Sequence, residues 1–182
     1  MSINPSNDLL TNVIHQQIKR GIRVCLDNEC FGAAVILIYS GMDTLCSLSL
    51  PLAQGVHRLD FCRWADRYMS LCRSRDVTGD EFYSARCAML HNYSVDSDMT
   101  RKGRCRQIGY MDDSMPAVRY DPSVAKGFVL VSVAALAQSF FDGIDEFLVD
   151  VFSDPAKASL AEARLEWVCN IYNSPRPAEG SK

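Results

Sequence analysis

The sequence predicts an all-α protein, a single-domain helical bundle of five to six helices. Three observations lead there. Apolar residues recur at helical spacing through most of the chain, the apolar runs stop at proline, glycine or Ser-Asp breaks, and helical periodicity is lost in only one internal segment. With 182 residues, 48% of them apolar, the chain can bury one core and is short for two.

The first helix is expected to start near Asn4-Pro5-Ser6 and to carry Leu9, Leu10, Val13, Ile14, Ile18, Ile22, Val24 and Leu26 at helical spacing. A second runs from about Phe31 to Leu50, stopped by Pro51; it is apolar nearly all round, as a central helix would be, and Asp43 is its one charged residue. Residues 57–76 read as a shorter helix with Phe61, Trp64, Tyr68 and Leu71 inside and arginines outside. After a break at Val77-Thr78-Gly79, a helix over 79–94 is expected with Thr78 or Asp80 as its cap. Beyond it periodicity fades, and a short β-hairpin is expected near 105–120, pairing 105–111 with 116–120. A long apolar helix then runs from Ser123 to Phe152, a last one covers 156–172, and the tail 173–182 has the composition of a disordered segment.

The formal net charge of −3 argues against coating nucleic acid through bulk electrostatics. Eight cysteines are scattered without any CxxC, so they read as reduced small hydrophobes in a cytoplasmic protein that holds no metal and needs no cofactor. No cationic start followed by an apolar run and a small-residue cleavage site marks secretion. Two apolar stretches, "FGAAVILIYSGMDTLCSLSLP" and "GFVLVSVAALAQSFFDGIDEFL", are each interrupted by Asp, Gln, Ser or Thr before reaching about 18 clean residues, so buried helices are expected rather than membrane spans.

Chemistry concentrates in "YSARCAMLHNYS", residues 83–94. At about 100° per residue, Arg86 and Tyr93 fall on nearly one face, while His91 lies about 140° round from Arg86. Arg86 and His91 could therefore meet one phosphate only if the helix distorts near Asn92 or a second chain completes the site. Asp43 adds a second argument, because a carboxylate inside "VILIYSGMDTLCSL" needs a partner and a guanidinium is the best-shaped one. Arg86 is the candidate.

Arg86, His91 and Tyr93, spaced as Arg-x4-His-x-Tyr in an all-α setting, resemble the Arg-x(4-6)-His signature of the HEPN superfamily and its Arg-x4-His-x-Tyr variant. The resemblance is local to these positions, the helix around them and the acid on an earlier helix. It implies an HEPN-like helical domain over 1–172 that pairs as a homodimer and acts as a metal-independent endoribonuclease, of toxin or defence and RNA-processing type, with a composite site at the dimer interface. By that resemblance His91 would be the general base or acid and Arg86 would stabilise charge on the phosphate, with Asp43, Asn92 and Tyr93 supporting them. Tyr93 would help hold the phosphate or be the hydroxyl that a nucleotidyltransferase antitoxin modifies. The residue after the arginine, often polar in active members, is Cys87 here. Two further readings thus stand beside the nuclease: a non-catalytic HEPN-like module binding nucleotide, RNA or a protein partner, and a purely structural helical dimer.

Basic residues flank the motif. Arg101, Lys102, Arg104 and Arg106 follow it, arginines 58, 63, 67, 73 and 75 precede it, and Trp64, Tyr68 and Tyr110 offer rings for base stacking. The same charges also suit an ordinary solvated surface. No P-loop, GxGxxG or GxSxG occurs, and "DSDMTRKG" lacks the glycine and glutamate spacing of a calcium loop.

Overall fold

The computed structural model describes residues 10–112, 118–119 and 127–168. The helix start at Asn4-Pro5-Ser6, the tail 173–182 and Cys169 lie outside them. The fold is broadly all-α with a small sheet, and eight α-helices are present among the described residues rather than five to six.

The chain opens with a π-helical stretch, Thr11–Lys19, that runs straight into α1 (Arg20–Asp27). Next comes α2 (Phe31–Leu48), whose 18 residues pack against α1, α3 (Arg58–Tyr68), α5 (Gly79–Asn92), α7 (Val133–Phe152) and α8 (Pro155–Leu165). By length and composition α2 would suffice to cross a membrane, and half of it is buried within this fold. Its all-round apolar pattern is explained by these neighbours together with the π-helical stretch, which it also meets.

The expected helix over 57–76 is two. Met69 is extended (φ −77°, ψ 122°) and separates α3 from the single turn α4 (Ser70–Arg73). Ser139 on α7 stabilises the break: its hydroxyl lies 3.0 Å from that of Ser70 and accepts the Leu71 N–H at 3.2 Å. A backbone donor freed by the break is thereby satisfied in the core. Trp64 and Tyr68 pack with Phe147, and Trp64 also meets Phe140, with ring centroids 5.3–6.2 Å apart. Their burial removes both from the set of base-stacking rings, and Tyr110 is engaged with the Tyr39 hydroxyl at 2.9 Å.

A second difference concerns the sheet. The strands are β1 (Gln107–Met111), β2 (Val118–Arg119) and β3 (Phe128–Ser132), in the order β1-β3-β2. β3 pairs in parallel with β1, Ile108 opposite Val129, and antiparallel with β2, Val118 opposite Val131. The expected hairpin therefore does not form, because β1 and β2 are each bonded to β3 and not to one another. Of the expected 123–152 helix, 123–126 lie outside the described residues, and Gly127 and β3 are not helical. Val129 and Val131 are fully buried, so the β-branched alternation of "FVLVS" suits a strand. α7 starts immediately after it, with the Ser132 hydroxyl accepting the Ala135 N–H.

The last helix starts where the sequence places it but ends at Leu165, short of the expected 172; 166–168 are not helical, and 169–172 lie outside the described residues. Asp154 caps α8 by accepting from Ala156 and Lys157, with Pro155 in the first turn.

Candidate functional site

The motif lies on α5, whose start is held by several independent contacts. Thr78 and Glu81 form a reciprocal capping box, Thr78 N–H donating to Glu81 at 2.9 Å and Glu81 N–H to the Thr78 hydroxyl at 3.3 Å. The Glu81 side chain, only 5% exposed, also accepts from Arg106 Nη2 at 2.8 Å and from its Nε. Burial works to raise the Glu81 pKa, but the Arg106 and Thr78 hydrogen bonds prevail and hold it below the usual value. Gly79 allows the close approach of α3: a Cβ there would stand 2.6 Å from the Cys62 carbonyl oxygen.

Toward the other end, Arg86 donates from Nε at 2.7 Å and Nη2 at 2.6 Å to one oxygen of Asp43 on α2. These side chains are 24% and 20% exposed, so the pair sits at the rim of the core. The other Asp43 oxygen, Oδ1, is buried and has no hydrogen-bond partner. Burial pushes the Asp43 carboxyl up from its ordinary value, against the downward pull of Arg86 and of the neighbouring His91. Arg86 Nη1 lies 3.9 Å from the Cys87 sulfur. The Tyr83 phenol is raised by burial and by its interaction with Cys87.

His91 and Asn92 are exposed at the end of α5. Tyr93 is not on the helix face that its spacing implies, because α5 ends at Asn92 and Tyr93 takes left-handed backbone angles, φ 49° and ψ 44°. Its ring lies over the start of α2 while remaining 66% exposed. A Cβ added at Gly32 would fall 1.8 Å from the Tyr93 hydroxyl oxygen, so the glycine makes room for it.

Beside α5 is an open cavity of about 330 Å³, lined on its other side by Asp96, Ser97, Asp98, Met99 and Arg101. His91, Asn92 and Arg101 line it together with Tyr83, Cys87 and Asp98. Arg86, Asp43 and Tyr93 do not. The structure thus gathers part of the expected site around the cavity and leaves the Arg86–Asp43 pair on a neighbouring face. Asp43 and His91 are nonetheless close enough to interact electrostatically.

The basic residues after the motif divide in the same way. Arg101 is tied to Asp96 at 3.0 Å and to Asp98, and Arg106 is committed to Glu81 and, at 2.9 Å, to the Asp76 carbonyl. Lys102 and Arg104 are exposed. Before the motif, Arg58, Arg67 and Arg73 pair with Asp80, Asp150 and Glu146. Among the described residues, no three His, Cys, Asp or Glu side chains converge where a metal ion could be held.

Sequence reasoning missed Tyr83, Asp96, Asp98 and Met99 as cavity residues. The available signal was "DSDMT": Ser97 caps the turn α6 (Asp98–Arg101), accepting from Met99 at 3.1 Å and Thr100 at 3.3 Å, and this turn lines the cavity. In comparisons with known proteins, no protein family, curated protein or solved structure matches this chain.

Proposed function

We propose that this chain is an HEPN-like, metal-independent endoribonuclease whose working site is completed across a homodimer. The observation that carries the reading is the Arg86–Asp43 pair. A carboxylate on the central helix fixes a partly exposed guanidinium on the same helix that ends in an exposed histidine. In that reading the His91 imidazole takes the proton of a ribose 2′-hydroxyl, and the 2′-oxygen attacks the adjacent phosphorus. The bond to the 5′-oxygen breaks, that oxygen takes a proton from water, and the products carry 2′,3′-cyclic phosphate and 5′-hydroxyl ends. Arg86 stabilises the charge on the phosphate oxygens. Because Arg86 and His91 of one chain lie on different faces, Arg86 of the second copy supplies the guanidinium that meets His91.

One observation favours a second reading, a non-catalytic helical module. The same two hydrogen bonds that orient Arg86 also satisfy much of its donor capacity, as a structural ion pair would. Incubation of a labelled mixed RNA pool in excess EDTA separates the two. The nuclease gives cyclic phosphate ends that Arg86→Ala and His91→Ala both abolish, whereas the module gives none at any protein concentration.

A further inference from the structure

We infer that the cavity beside His91 is a base-recognition subsite that takes one nucleobase carrying an exocyclic amine, so that adenine, cytosine and guanine are preferred over uracil. As an element of RNA cleavage this rests on the nuclease reading; as a binding site it stands separately.

Size and lining come first. At about 330 Å³ the cavity lies at the low end of the range for small-ligand sites, room for one ring system and little more. Tyr83, Ala88 and Met99 give it apolar and aromatic wall, the surroundings in which a base taken out of its stack is held.

Most of its polar groups are already occupied. The buried Ser84 and Ser97 hydroxyls bond one another at 2.5 Å. Asp96 accepts from Thr100 at 2.8 Å and from Arg101 at 3.0 Å, and Arg101 also holds Asp98 through Oδ1. Three groups remain without a protein partner among the described residues: the His91 imidazole, the Asn92 carboxamide and Asp98 Oδ2.

Electrostatics then selects among ligands. Two carboxylates face one guanidinium here, so the lining is net negative and repels a phosphate. What it favours is a neutral group with donors to spare. An exocyclic amine meets Asp98 Oδ2 directly, with Asn92 beside it to accept or donate along the same edge. Uracil has two carbonyls and one ring N–H on that edge, and its carbonyls face the carboxylate. The ribose leaves the cavity at His91, which lies between it and the face that carries Arg86. Arg101 is in this account a positioning residue: it fixes the Asp98 carboxylate and does not touch the base.

The test uses the full chain and the four nucleoside 3′-monophosphates, read by amide chemical-shift titration. The expected result is saturable shifts at Ala88, Asn92 and Met99, with the uridine nucleotide about three- to tenfold weaker than the others, the loss of one partly exposed charged hydrogen bond. Asp98→Asn, at a side chain 75% exposed and therefore safe for folding, should narrow that preference to about twofold or less. Met99→Trp should abolish the cavity shifts by filling the space. Equal binding of all four, insensitivity to Asp98→Asn, no shifts, or shifts confined to Lys102 and Arg104 would each overturn the subsite. Binding is read without cleavage, so the two ideas fail separately. A protein that binds as expected and never cuts loses the nuclease reading alone, and one that cuts RNA without cavity shifts loses the subsite alone.

Discussion

Arg86 places two donors on a single oxygen of Asp43 and leaves the other oxygen buried without a partner. The carboxylate therefore depends on one residue, and Arg86→Ala should destabilise the protein by about 2 kcal/mol, less than a fully buried pair because both side chains keep some solvent. Urea melts of Arg86→Ala, Asp43→Leu and the double variant would measure it. The double variant should recover much of the loss, and strict additivity would contradict the pairing. This contact was legible in sequence for a simple reason: a carboxylate amid apolar residues calls for a guanidinium, the side chain best shaped to pair with it. Tyr93 was not legible. Angular reasoning assumes that the helix continues, and the left-handed backbone at the cap redirects the side chain toward Gly32. Gly32→Ala should move Tyr93 because its hydroxyl is the atom in the way, and a mostly exposed ring can swing aside at a cost below about 1 kcal/mol. Altered Tyr93 fluorescence quenching with nearly unchanged melting would show this; a large loss of stability would mean that the ring is fixed.

Helix positions were readable because helical spacing and end signals agreed. Thr78 caps α5, and Asp154-Pro155 opens α8, where the sequence places them. The failures lie where a tertiary partner decides. Ser139 of α7 stabilises the break between α3 and α4, which no local signal announces. β3 is a run of apolar residues that joins an apolar helix, and only pairing with β1 and β2 identifies it as a strand. The ion pair between Arg106, just before β1, and Glu81 at the start of α5 joins sheet to bundle. With Glu81 nearly sealed from water, Arg106→Ala should cost about 3 kcal/mol by leaving a buried charge unpaired. Adding Glu81→Gln should return part of it. Chemical denaturation tests both, and a loss below 1 kcal/mol for Arg106→Ala would show that the junction is held by packing alone.

At the scale of the whole fold, among the described residues, carboxylates with depressed values outnumber those raised. Desolvation works to raise Glu81 and Asp80, but hydrogen bonds from Arg106 and Thr78 hold Glu81 down and those from the Cys62 thiol and Arg58 hold Asp80 down; Asp96 and Asp150 are lowered chiefly by hydroxyl hydrogen bonds from Thr100 and Tyr68. A depressed folded value contributes stability that is present above the unfolded value and is lost as pH falls through the folded one, here below about pH 4. Asp43 has the opposite sign: its raised folded value favours the fold when protonated, and that contribution fades as pH rises through the folded value. Melting temperature should therefore fall steeply below about pH 4. The fall should be shallower in Glu81→Gln and steeper in Asp43→Asn, and identical curves for all three would contradict these assignments.

The most direct measurement of the central claim is complementation between two inactive variants. Arg86→Ala and His91→Ala are purified separately, mixed, re-equilibrated through dissociation, and assayed for cyclic phosphate ends on RNA in excess EDTA. If each site takes its arginine from one copy and its histidine from the other, a mixed dimer has one intact site, and the mixture should regain about a quarter of wild-type activity by random pairing. Activity of wild type with no recovery in a mixture shown to exchange subunits would contradict a shared site, and absence of cutting by wild type would contradict the nuclease itself.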